Sequence, residues 1–331
     1  MKTINNKYNE NRIIGLWAFS ESILGGFLHL FKIPVTGLLV GGLAIIFLSL
    51  LSYNNENKNS IIKGTVIVLI IKFVISPYTP FNAFLSVTIQ GLLCYIFSII
   101  THNKYLRVFG FAISSMIVFS SQKLIFIQVL LGSSLWEAID SYTIFIVKQF
   151  GFNSFNYSLS FIIISLYVLL HILSGILFSI LSIKIMEDLR HEKRIDLENY
   201  NNNSNLFENL KKKPKKKYKR ILSTFIILLI IGASYFIKPE GKFINYILLV
   251  LRFFSIFIVW AFIITPLLTK LAKSFLSRQQ SLYKQEVNDI IDSFSSIKSL
   301  SNYIWEKVKA KTGFMKYILF VRLLIVNFIL E

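Results

Sequence analysis

The chain has a single cysteine and six prolines among 331 residues, and only 17 acidic side chains. A lone Cys94 excludes an intramolecular disulfide framework, and neither CxxC nor a Cys/His zinc spacing is present. With 15 glycines besides, a collagen-like or low-complexity chain is excluded. Charged residues make up 16%, against about 25% in soluble domains, so the composition is not that of an ordinary soluble protein. HExxH, GxSxG, a P-loop and an Asp-rich diphosphate motif are all missing, and His191-Glu192 has no second histidine. No enzyme activity, cofactor or metal is therefore expected. The first apolar block ends in Leu28-His29-Leu30-Phe31-Lys32-Ile33-Pro34 without a small-x-small site, so a cleaved signal peptide is not expected.

What is abundant is apolar: 54% of the residues are hydrophobic and 15% aromatic. They fall in blocks at about 13–31, 33–53, 62–77, 83–101, 108–135 and 157–185, then at about 221–237 and 243–269. Such blocks are long enough to cross a hydrocarbon core of about 30 Å as helices. The block at 108–135 carries Gln122, Lys123 and Gln128 and reads either as one tilted helix or as a helix running into a re-entrant stretch. The expected fold class is all-α, a polytopic membrane helical bundle of six spans, followed by a two-span hairpin and cytoplasmic amphipathic helices.

The net charge of +19 would point to nucleic acid in a soluble chain, but no basic patch here stands on a nucleic-acid-binding motif. The positive-inside bias and anionic headgroups explain the excess instead. With a cytoplasmic N-terminus, the inner loops hold Lys2, Lys7, Arg12, Lys58, Lys63, Lys104 and Arg107. The outer loops of the first six spans hold only Lys32 and Lys148. Residues 1–185 form the six-helix domain on this reading, 186–220 a basic cytoplasmic linker, and 221–331 the hairpin with its amphipathic C-terminal helices. The location is a bacterial-type inner membrane. In the linker, Lys211, Lys212, Lys213, Lys215, Lys216 and Lys217 form a stop-transfer and lipid-headgroup cluster beside an asparagine-rich stretch at 201–205.

Downstream, Leu282, Val287, Ile290, Ile291, Phe294, Ile297, Ile304 and Val308 recur mostly at spacings of three and four. This is the pattern of an amphipathic helix or a broken pair of them. Their apolar face fits a membrane surface and a protein partner equally well. The run Tyr317–Leu330 is 14 residues and contains Arg322, which favours an interfacial or packed helix over a full span.

Ionisable groups inside spans are costly and tend to face an interior or a cavity. Glu21, His29, Gln90, Trp136, Glu137 and His171 are the candidate substrate-binding residues, biased towards the outer half of the membrane on this topology. Each has a plainer reading. Lys72, near a helix end, could snorkel. Glu21 could be neutralised by Lys123 or a histidine, His171 could bond a neighbouring helix, and Trp136 could belong to the aromatic belt. In the first block Ala18, Ser22 and Gly26 follow at i, i+4 and i+8, a small-residue face on which another helix could dock, within this bundle or on a separate subunit.

Six spans with both ends inside, that small-residue face and outward-biased polar residues together resemble the substrate-binding S components of energy-coupling factor (ECF) transporters. In that family the first helix often carries an Ala-x-x-x-Ala face towards the transmembrane coupling subunit. Ala18 and Ser22 match its spacing with one serine for alanine, and Gly26 extends it. Glu21–His29 through Ile33-Pro34-Val35-Thr36-Gly37 is similar to the helix-one-to-helix-two region of such proteins, and the resemblance covers about residues 10–190. It implies binding of a small solute or vitamin-like compound, with a membrane coupling subunit and an ATPase as partners. The C-terminal module departs from the S component and lacks the coupling subunit's Ala-Arg-Gly signatures. It is assigned instead to another partner or to a homo-oligomer. The alternatives are a structural or assembly subunit of a larger membrane complex and, behind it, an intramembrane lipid-modifying enzyme.

Overall fold

The computed structural model describes residues 8–30, 36–54, 58–76, 79, 81–149, 158–192, 267, 270–271, 274, 278–279, 281–310, 313 and 315–331. Most of the linker with its Lys211–Lys217 cluster, and nearly all of the 221–269 hairpin, lie outside the described residues. Among the described residues all regular structure is helical.

The elements are α1 (Glu10–Phe19), a π-turn (Ser20–Leu24), α2 (Gly25–Leu30), α3 (Thr36–Asn54), α4 (Asn59–Ile75), α5 (Phe81–Ile100), α6 (Lys104–Leu131), α7 (Ser134–Gln149) and α8 (Leu159–Arg190). After the undescribed stretch come α9 (Lys284–Asp292), α10 (Phe294–Val308) and α11 (Met315–Leu330). Among the described residues three helices, α5, α6 and α8, are long and apolar enough to cross a membrane, and α3 is a shorter apolar helix.

Local chemistry sets the helix ends. The Asn103 side chain accepts the Tyr105 and Leu106 amides to start α6, and Gly132 stops it with φ of 70°. The 108–135 block is thus one continuous helix as far as Leu131. The stretch beyond it, where no separate helix was expected, forms α7. Ser158 caps α8 by accepting the Phe161 amide.

The core is built from Ile13, Ile14 and Trp17 of α1, the Ala44–Leu51 stretch of α3, and Ile67–Ile71 of α4. Helices approach closely where glycines permit it, as small residues do between membrane helices. At Gly91 of α5 an added Cβ would stand 2.1 Å from Thr65 Oγ1 and 2.9 Å from Thr65 Cβ. Because Thr65 Cβ itself is in the way, rotation of that side chain cannot relieve the clash. Gly91→Ala is expected to force α4 and α5 apart at about 1–3 kcal/mol, read as a lower Tm in detergent, and Thr65→Ala in the same chain, which removes Oγ1 and Cγ2 but keeps Cβ, should restore only part of the loss. No restoration would mean that the contact is not tight.

The amphipathic C-terminal segment is a broken pair of helices, α9 and α10, divided at Ser293, whose Oγ donates to the Ile290 carbonyl (2.6 Å). They pack onto the bundle itself. Gly15 of α1 faces Ile290 and Ser293, and the Phe294 ring meets Phe19 edge-on at 5.4 Å. Lys63 of α4 reaches Glu286 at 2.7 Å and lies over the Tyr283 ring. Helix α11 lies across the beginning of α1 and the end of α8. Arg12 donates to the Phe328 carbonyl (2.8 Å), and Arg322 clasps both carboxylate oxygens of Asp188. The described part of the 221–331 segment is therefore joined to α1, α4 and α8.

Candidate functional site

Helix α1 does not continue as an α-helix into the membrane-length apolar block. At Ser20 the backbone amide reaches both Leu16 and Trp17 carbonyls, and the Ser20 hydroxyl donates to Trp17 O at 2.8 Å. The Gly25 amide then bonds to the Ser20 carbonyl, five residues back. The turn holds one residue more than an α-turn, and such insertions inside helices recur at functional sites. Here it carries Glu21.

The Glu21 carboxylate accepts from Lys72 Nζ at 2.6 Å, and both side chains are 5% exposed or less. The sequence suggested Lys123 or a histidine as the partner of Glu21 and a snorkelling Lys72. The structure corrects both. Lys72 lies in the last turn of α4 but faces inward, while the Lys123 ammonium sits 5.9 Å from the Tyr167 ring centre.

Around this pair the polar groups are small. Ser22 is buried, and its hydroxyl has no hydrogen-bond partner among the described residues. Ser76 follows Lys72 by one turn, its amide bonded to the Lys72 carbonyl. Its Oγ is 3.3 Å from where a Cβ on Gly26 would stand, so that side of Gly26 has little room to spare. Ala18 and Ser22 are buried within the chain, and the part of α1 that receives α9 and α10 is Gly15–Phe19.

Gln90 occupies a second buried position. Its Nε2 donates to the Gly41 carbonyl (3.1 Å) and to Ser115 Oγ (3.0 Å), tying α5 to α3 and α6, while its Oε1 has no partner. One turn earlier, Ser86 Oγ lies 2.9 Å from Gln122 Oε1. His171 of α8 is buried, and its Nδ1 lies 2.9 Å from the Tyr167 carbonyl one turn back. A carbonyl only accepts, so Nδ1 carries the proton.

Trp136 and Glu137 open α7. The Trp136 indole donates to Gln128 Oε1 at 2.6 Å across the α6–α7 turn, and Glu137 is exposed. Asp140, one turn on, accepts from the Ser160 amide and from both the Ser158 and Ser160 hydroxyls, each at 2.8 Å. The Ser160 amide is first among the causes that hold the Asp140 carboxyl below its usual range. This carboxylate is a second cap on α8, a structural role that places α7 against it. His29 lies in α2, and its side chain is outside the described residues.

Gln90, Trp136 and His171 thus bond to separate partners and not to one another, and Glu21 is held by a lysine not counted among the six. The signal for Lys72 was present all the same: it is one of the few lysines inside apolar blocks. Among the described residues no group of three His, Cys, Asp or Glu comes together that could hold a metal ion. No protein-family model, curated protein or solved structure matches the chain. The site's chemistry therefore stands on its geometry. A carboxylate and an ammonium held together away from water recognise charge, and separating them leaves each uncompensated unless something replaces its partner.

Proposed function

We propose that the chain is an integral membrane subunit that binds a small solute for transport with a partner. On this reading the first six apolar blocks span the membrane with both ends cytoplasmic, and the 221–269 hairpin adds two spans. The observation that carries it is the pair of Lys72 with Glu21 of the π-turn, since ionisable groups inside membrane helices face an interior or a cavity and mark substrate and ion pathways. The packing of α9–α11 on α1 adds to it. The helix that bears Glu21 also bears the contact with the C-terminal helices, so occupancy at one end can be felt at the other. A coupling subunit and an ATPase would then meet surfaces other than Gly15–Phe19.

A second reading, a structural or assembly subunit, is favoured by one observation: Glu21 with Lys72 and Arg322 with Asp188 satisfy each other within the chain. Mass spectrometry of the protein purified in mild detergent separates the two. The transport reading expects a small molecule at near-stoichiometric amount, or an ATPase with a membrane subunit. A reproducible large membrane assembly carrying neither would overturn it in favour of the structural role.

A further inference from the structure

The Glu21–Lys72 pair deepens that reading, on which this inference rests, because it restricts what the solute can be. We propose that the pair is a charge-matching site for a zwitterion with adjacent carboxylate and ammonium groups, of the α-amino-acid type. The solute carboxylate takes Lys72, and its ammonium takes Glu21.

The argument is one of charge balance. The two side chains are buried and 2.6 Å apart, each the counter-charge of the other. An anion that took Lys72 would leave Glu21 buried and uncompensated, and a cation that took Glu21 would strand Lys72. Either loss cancels much of what the new contact gains. A neutral solute has no charge with which to replace either partner. A zwitterion whose opposite charges lie on neighbouring atoms replaces both at once, and the four charges alternate in sign.

The surroundings fit an opening of this kind. Glu21 sits in the π-turn, where the Gly25 amide bonds five residues back to Ser20. Returning that turn to α-helical bonding displaces one residue and swings Glu21 about the helix axis by about 100°. Glu21 can leave Lys72 in this way without unwinding α1. Beside it the buried Ser22 hydroxyl has no hydrogen-bond partner among the described residues, and so has a donor and an acceptor to offer a polar solute. Beyond Lys72, Ser76 is only partly buried and continues the polar line towards the end of α4.

The test uses the full chain in lipid nanodiscs, with binding followed by melting shift and by native mass spectrometry. The probes are the twenty L-amino acids, the matched carboxylates without the amine, and the matched amines without the carboxylate. At least one amino acid should bind, and at least about 30-fold more tightly than either single-charge analogue. Single variants at these positions strand a buried charge and could fail to fold, so the deciding variant is Glu21→Leu with Lys72→Met, which removes both charges together. It should melt no lower than the parent and lose amino-acid binding. Unchanged binding in that folded double variant would overturn the proposal. So would a co-purified neutral or singly charged compound that binds parent and double variant alike, although the transport reading would then stand. Binding of none of these probes would overturn the amino-acid proposal alone, and the transport reading falls with it only if neither a small molecule nor an ATPase with a membrane subunit co-purifies.

Discussion

Glu21→Ala is expected to lower the stability of the fold by about 3–5 kcal/mol, because it leaves the Lys72 ammonium buried without a counter-charge. Lys72→Ala should cost a similar amount from the other side, through the stranded carboxylate. The sign reverses when both go. Removing two charges from an apolar surrounding and filling the space with leucine and methionine is expected to be neutral, or stabilising by about 1–4 kcal/mol. Unfolding of the parent, both single variants and the Glu21→Leu/Lys72→Met double variant in one detergent would measure the coupling between the two sites. Additive losses, with the double variant weakest of the four, would show that the ion pair is not the buried, mutually dependent unit described for α1 and α4.

Phe294→Ala is expected to release the C-terminal helices while leaving the rest of the bundle assembled. The Phe294 ring is fully buried and meets Phe19 edge-on, next to the Gly15 contact with Ile290 and Ser293. Deleting a buried aromatic ring costs about 3–5 kcal/mol, and here the loss falls on the junction between α9 and α10 at α1. The readout is limited proteolysis: cleavage within 281–310 should quicken while fragments of 36–131 stay protected. Lys63→Gln makes a useful contrast. Its pair with Glu286 is about one-third exposed on both sides, and such pairs contribute about 0–1 kcal/mol. If Lys63→Gln loosened the module as much as Phe294→Ala, apolar packing would not be what holds it.

The helical class was legible in the sequence because it is local. Apolar blocks of membrane length and polar breaks between them need no knowledge of what lies across the bundle. The same holds for the amphipathic period over 282–308 and for the apolar helix at 317–330. What the sequence could not supply is partnership. Glu21 and Lys72 are 51 positions apart, and nothing in either neighbourhood tells Lys72 to turn inward and not towards a headgroup. The π-turn was also hidden, since no residue type in Ser20–Leu24 distinguishes a widened turn from an α-turn. The α7 helix was missed because its Trp136, Glu137 and Asp140 read as the polar exit of a span. Asp140 became intelligible only once Ser158 and Ser160 were seen to return to it. The docking of α9–α11 follows the same rule: the pattern demanded an apolar partner, and only the fold named α1.

The bond from Arg12 to the Phe328 carbonyl joins residues 316 positions apart, and it sets an order of events during synthesis. Helix α1 leaves the ribosome before α9 and α10, so the surface formed by Gly15 and Phe19 meets Ile290 and Phe294 only after that later segment has been made. Until then that surface must be tolerated by its surroundings or shielded by another factor. A chain stalled before residue 284 would present it uncovered, in a form that quality-control proteases could tell from the finished protein.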